Sequence, residues 1–207
     1  MADLLDTCRE FPRDRRRSTI RVLAVLVGTL VYATLRYNVF KGVPWPQWPV
    51  YVVNKAFALS SLILIVWILV RRRRNQSSYD ELWAWTTTCM VAHVVLSLAI
   101  LTPAYYAKYF DGTTFTTVAG TSWLLGTIAA VWLFVCLRRC EPAAGRDDLW
   151  LGMIGLMVGV HAAVLGFAGW FQPSTWPGYM VPITLISFLL GVAALILGMI
   201  SRLLPNR

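Results

Sequence analysis

The chain of 207 residues contains two histidines, and both fall deep inside apolar stretches. His93 lies eleven residues after Leu82, and His161 twelve residues after Leu149. At about 1.5 Å of rise per helical residue they sit roughly 16 and 18 Å along their stretches. That spacing predicts two imidazoles at nearly one depth, near the midplane of a bilayer, on parallel helices. Two such rings can close on opposite faces of a haem, each giving a nitrogen to the iron. A buried ionisable group inside a membrane is a functional candidate in its own right. The competing reading is that each histidine only hydrogen-bonds a neighbouring helix. A zinc or copper ion shared by the pair would lack its third and fourth ligands.

The elements that must carry these side chains follow from composition. The chain is 57% hydrophobic and 14% charged, with a mean hydropathy of +0.60. A soluble domain carries about 25% charged residues. The deficit excludes a disordered chain and an ordinary cytosolic enzyme. Six apolar runs are long enough to span a hydrocarbon core, near Ile20–Leu35, Val50–Val70, Leu82–Leu101, Val118–Leu137, Leu149–Phe171 and Val181–Leu204. In lipid the backbone must satisfy its own hydrogen bonds, so each run is expected to be a helix. The expected fold is all-α: an integral membrane six-helix bundle over 20–204. A basic segment precedes it at 1–19, and a short tail follows at 205–207.

Orientation follows from the 19 basic residues. With the N-terminus in the cytoplasm, fifteen fall on the inner side, among them Arg13, Arg15 to Arg17, Arg71 to Arg74, Arg138 and Arg139. Four fall outside: Arg36, Lys41, Lys55 and Lys108. Such a bias places both termini in the cytoplasm. It also accounts for the net charge of +9 without a nucleic-acid partner. Trp45, Trp48, Trp170 and Trp176 then mark the outer boundary, with Trp67, Trp83, Trp85 and Trp150 near the inner one. A cleaved leader ending near Val31-Tyr32-Ala33 is the alternative, and it would leave five helices. The arginine-heavy inner loops fit a bacterial inner membrane.

No Asp or Glu falls inside a span, which argues against proton-coupled transport. There is no Walker loop, no Gly-x-Ser-x-Gly elbow and no Cys-x-x-Cys pair. The face of His161 carries Ile154, Met157, Val158, Leu165 and Ala168, an apolar wall suited to a porphyrin. The face of His93 carries Cys89, Met90, Leu96, Ser97 and Ile100, with Cys89 read as a small core residue. Gly152, Gly155, Gly159, Ala162, Gly166 and Gly169 form a separate stripe that predicts close helix packing. Arg36 and Lys55 stand near the outer ends of the first two spans, where they can pair with haem propionates or attract an anionic substrate. Each can equally snorkel to the interface. Tyr105, Tyr106 and Lys108 are expected to anchor the interface or to cap a cofactor. Cys136 and Cys140 share a face and are expected to be reduced cytoplasmic thiols, open to acylation.

Six spans with histidines on the third and fifth and basic inner loops resemble the ferric-reductase-like transmembrane domain. That domain occurs in NADPH oxidases, STEAP metalloreductases and MsrQ-type membrane cytochromes. The matching segments are Ala92-His93-Val94-Val95-Leu96 and Val160-His161-Ala162-Ala163-Val164-Leu165-Gly166. The commonest form of the family carries two histidines on each helix and two haems. One on each resembles the single-haem branch. The resemblance implies a membrane cytochrome b with one haem b, His93 and His161 as axial and metal ligands, and Arg36 and Lys55 beside the cofactor. The segments between spans are too short for a flavin or NADPH domain. The electron donor or acceptor is therefore expected to be a separate protein, a quinol or an exchangeable flavin or quinone. The outer loops at 43–50 and 172–179 are the expected meeting surface. The chain would serve as an oxidoreductase or as an electron-transfer subunit, with oligomerisation left open. The alternatives are a cofactor-free membrane scaffold or, further off, a small-solute permease.

Overall fold

The computed structural model describes residues 11–74, 80–138 and 146–204, with side chains described over 18–74, 81–135 and 148–204. Six helices are long and apolar enough to cross a membrane. They are α1 (Phe11–Thr34), α2 (Val53–Arg73), α3 (Asp80–Ala99), α4 (Thr117–Arg138), α5 (Arg146–Gly166) and α6 (Ile183–Leu203). The readings placed on 1–10, on 205–207 and on the Cys136 and Cys140 thiols lie outside the described residues or side chains.

Two boundaries differ from the sequence expectation. The first span continues past Leu35 as a π-helical turn, Leu35–Phe40. The second starts earlier, with a 3-10 turn at Trp45–Gln47 and a π turn at Trp48–Val52. Arg36 and the prolines of the first loop mark breaks by composition. Yet Pro46 and Pro49 sit in the first turn of their segments, where the missing N–H costs nothing. The two π turns meet: Trp48 Nε1 donates to Thr34 Oγ1 at 2.9 Å, and Tyr37 meets Tyr51 edge-on. Between α3 and α4 the chain adds a feature the sequence reading lacked, a small antiparallel hairpin. Its strands β1 (Phe110–Asp111) and β2 (Thr114–Phe115) pair Phe110 with Phe115.

Helix α2 is the centre of the bundle. Its apolar window is 61% buried, against 22 to 33% for the other five. Leu62, Leu64, Ile65, Ile68 and Leu69 of α2 meet Val22 of α1, Leu82 and Cys89 of α3, Leu133 of α4, Leu151 and Ile154 of α5, and Ala194 of α6. Cys89 is thus a core residue, as its position implied. In lipid the apolar side chains gain nothing from leaving water, so close packing and hydrogen bonds between helices must hold this centre together.

The α5–α6 contact is the tightest in the molecule, because glycine lets the two backbones approach. A Cβ on Gly191 would stand 2.6 Å from the carbonyl oxygen of Gly155, and one on Gly152 2.7 Å from that of Ala194. The small-residue stripe therefore packs helices as expected, except at Gly169, which meets nothing within 4 Å. Side-chain hydrogen bonds add cross-ties. Thr29 and Ser60 share one at 2.6 Å between α1 and α2, and Tyr32 Oη donates to the Val181 carbonyl at 2.6 Å. At one end of the bundle Arg72 donates to Asp148 at 2.8 Å, joining α2 to α5. That end, where α1 begins and α6 finishes, is the Arg72 end. The opposite one is the Lys55 end.

Candidate functional site

His93 stands on the side of α3 that packs against α2. Its Nδ1 lies 2.6 Å from Oδ1 of Asn54, a residue only 1% exposed. Asn54 Nδ2 donates to Ser97 Oγ at 3.1 Å, one turn along α3 from the histidine. That bond turns the amide oxygen toward the imidazole. A carbonyl oxygen only accepts, so the proton is on Nδ1 and the Nε2 lone pair is free.

His161 is braced by a different helix in the same way. Its Nδ1 lies 2.6 Å from the backbone carbonyl oxygen of Ser122 on α4, and again the carbonyl fixes the proton on Nδ1. Ser122 Oγ returns a hydrogen bond to the His161 carbonyl at 3.1 Å, so the two residues clasp α4 to α5. The ring rests against Gly126. A Cβ there would lie 2.9 Å from Nδ1 and 3.0 Å from Cε1, so only glycine leaves the imidazole its place.

The outcome is a pair of imidazoles with matched chemistry. Each has Nδ1 committed to a carbonyl oxygen, and among the described residues neither Nε2 has a hydrogen-bond partner. They lie within electrostatic range of one another, and Lys55 lies within range of both. Helices α3 and α5 pack on α2 and make little direct contact with each other, while α4 packs along α5 and only touches α3. Where α3 and α4 diverge, an apolar groove of about 430 Å³ runs between Met90 and Val94 on one wall and Ala130 and Phe134 on the other.

The depth differs slightly from the count along the sequence. His93 stands six residues before the end of α3, and Ser122, its counterpart at His161, five residues after the start of α4. At about 1.5 Å per residue both lie roughly 8–9 Å from the Lys55 end of those helices. Helix α3 ends at Ala99, ahead of Pro103, and not at Leu101, which leaves His93 nearer that helix end than the count along the sequence placed it.

The two basic residues expected beside the site separate. Lys55 follows Asn54 on α2, donates to Tyr106 Oη at 2.9 Å, and lies 5.2 and 5.1 Å from the ring centroids of Tyr51 and Tyr106. Tyr106 thus holds the Lys55 ammonium through both its hydroxyl and its ring face. Arg36 is buried in the π turn after α1 and donates through Nη1 to the carbonyl of Met180. None of its contacts is to either imidazole. It braces the first span against the segment before α6. Nearby, Gly178 has φ of +57°, and the Phe40 ring occupies the space a Cβ would need, so no other residue fits that turn.

Three participants went unread in the sequence: Asn54 as the partner of His93, Ser122 and Gly126. An amide inside a span is costly enough to be a signal. A backbone carbonyl and a glycine give none. Among the described residues no three His, Cys, Asp or Glu side chains come together. Two neutral rings with free Nε2 atoms suit the axial positions of a haem and fall short of a tetrahedral metal site. No family model and no curated protein sequence matches the chain.

Proposed function

We propose that the protein is a membrane cytochrome b in which His93 and His161 hold one haem b, and that it moves electrons across or within the bilayer. The observation that supports this most strongly is the shared state of the two rings, Nδ1 tied to a carbonyl oxygen and Nε2 free. Metal-ligating histidines are held in this way, because the second hydrogen bond fixes both tautomer and ring orientation. When bound, haem supplies a one-electron couple whose potential depends on its ligands and surroundings.

The chain's own residues would do the rest. Asn54 and the Ser122 carbonyl orient the ligand nitrogens and raise their basicity. The apolar residues of α3 and α5 exclude water. Lys55 adds a positive charge near both rings, where it favours a reduced, more negative centre. Held by His93 and His161 together, a haem would supply outer-sphere electron transfer and not oxygen binding. The donor or acceptor is a separate protein, a quinol or an exchangeable flavin. The fifteen-to-four distribution of basic residues supports a cell-membrane orientation with both termini in the cytoplasm.

The same hydrogen bonds favour one other reading. His93 ties α3 to α2 and His161 ties α5 to α4, which is what a cofactor-free scaffold subunit would need. Haem content per chain separates the two. Protein purified in detergent from haem-supplemented cells is expected to carry one pyridine-extractable haem b per chain. A colourless, folded preparation would favour the scaffold.

A further inference from the structure

The Lys55 end of the bundle carries a surplus of positive charge. Segments 35–56, 100–117 and 167–183 hold four cations, Arg36, Lys41, Lys55 and Lys108, and one carboxylate, Asp111. Among the described residues none of the four cations forms an ion pair.

Aromatic rings draw them together instead. Tyr37, Tyr51, Tyr106 and Tyr109 form a continuous row of ring contacts, edge-on, tilted and stacked in turn, with successive ring centroids 5.5, 5.7 and 5.2 Å apart. Each lysine sits over this row: Lys41 lies 5.5 Å from Tyr37, Lys55 5.2 Å from Tyr51, and Lys108 5.0 Å from Tyr109. Ring faces attract cations but do not cancel the repulsion among them. Lys41 registers the repulsion. Burial, and then the charges of Lys108, Lys55 and Arg36, hold its ammonium below the usual lysine range. Burial, and then the neighbouring Tyr106 and Tyr37, push the Tyr109 phenol up to about 12, so it remains a hydrogen-bond donor at neutral pH. Among the described residues the hydroxyls of Tyr37, Tyr51 and Tyr109 have no hydrogen-bond partner.

We propose that Lys41, Lys55 and Lys108, with the phenols of Tyr37, Tyr51 and Tyr109 and in the field of Arg36, bind a phosphate-type oxyanion. Its source is either the headgroup of an anionic phospholipid or a soluble phosphate. A tetrahedral dianion matches the surplus of charge, accepts from ammonium and phenol alike, and relieves the crowding of like charges. The location, where the helices give way to the loops of one membrane face, suits either source. The site does not depend on haem, and a colourless protein would bind the anion equally well.

The test uses the full chain in two media. In nanodiscs of phosphatidylcholine with phosphatidylglycerol, lipids retained by the protein are read by native mass spectrometry. In detergent, inorganic phosphate is titrated by calorimetry. Selective retention of phosphatidylglycerol alone assigns a lipid headgroup, while binding of phosphate alone assigns a soluble ligand. Either result supports the site if the Lys41→Gln/Lys108→Gln double variant weakens it about tenfold and Lys41→Arg/Lys108→Arg does not. Tyr109→Phe, which keeps the ring and removes one donor, is a second variant should the double substitution fail to fold. Absence of any preference for either anion overturns the proposal. So does a preference that survives both the double Gln variant and Tyr109→Phe.

Discussion

His93 Nδ1 and Asn54 Oδ1 lie 2.6 Å apart where the first turn of α2 packs against α3, toward the Lys55 end, and the amide oxygen is an acceptor only. The bond therefore decides which imidazole nitrogen keeps a free lone pair, the one that would hold the proposed haem. Replacing the amide by an apolar side chain of similar size removes the brace without adding charge. Asn54→Leu is expected to weaken haem retention by about 10–100-fold, the usual cost of losing such a supporting partner. In the haem that remains, the midpoint potential should rise, because an imidazole without its acceptor is a weaker donor. Potentiometric titration and haem retention on gel filtration check this, and unchanged values would remove Asn54 from the site.

Gly126 supplies a sharper steric test. A Cβ at this position would come 2.9 Å from His161 Nδ1, whereas one at Gly120 on the same helix would meet nothing within 4 Å. Gly126→Ala should displace the ring and lower haem occupancy, while Gly120→Ala should leave the spectrum untouched. Thermal unfolding of both variants in detergent separates loss of the cofactor from loss of the fold.

These two contacts mark where the sequence was readable and where it was not. Six spans are legible because a bilayer imposes both length and apolarity, and Val53–Arg73 or Ile183–Leu203 can hardly be anything else. His93 and His161 are legible because an imidazole in lipid is conspicuous. The Ser122 carbonyl is not, since every residue has one and only the packing of α4 on α5 gives it a role. Lys55 and Arg36 look alike on paper, at corresponding ends of adjacent spans. Their fates diverge because Arg36 lies in a π turn that aims it at the Met180 carbonyl, and no periodicity argument anticipates a π turn.

The α5–α6 seam predicts a purely structural phenotype. Gly191→Ala places a methyl group against backbone, which cannot yield as a flexible side chain would, and overpacking of this kind costs about 1–3 kcal/mol. The unfolding temperature in detergent should fall. Gly28→Ala, with open space around its Cβ, should leave it unchanged.

Arg72 and Asp148 form the ion pair at the other end, with side chains 14% and 8% exposed. Arg72 also lies 5.6 Å from the Trp83 ring centroid, so α2, α3 and α5 meet there. Asp148→Asn removes one counter-charge from a largely buried guanidinium and is expected to cost about 1.5–3 kcal/mol, the range for a hydrogen bond to a charged group. The double variant Arg72→Met/Asp148→Asn should recover part of that loss. Urea or thermal unfolding of the natural protein, Arg72→Met, Asp148→Asn and the double variant gives the coupling, and strict additivity would show that the pair contributes nothing of its own.

The most direct measurement is the visible spectrum of the purified protein, oxidised and after dithionite, for the natural chain and for His93→Ala and His161→Ala. One haem held between the two imidazoles predicts a Soret band with sharp reduced α and β bands in the natural protein. Both variants should lack those bands while keeping their helical circular dichroism. Bands that persist in either folded variant, or a natural protein that stays colourless when haem is abundant, would contradict the assignment.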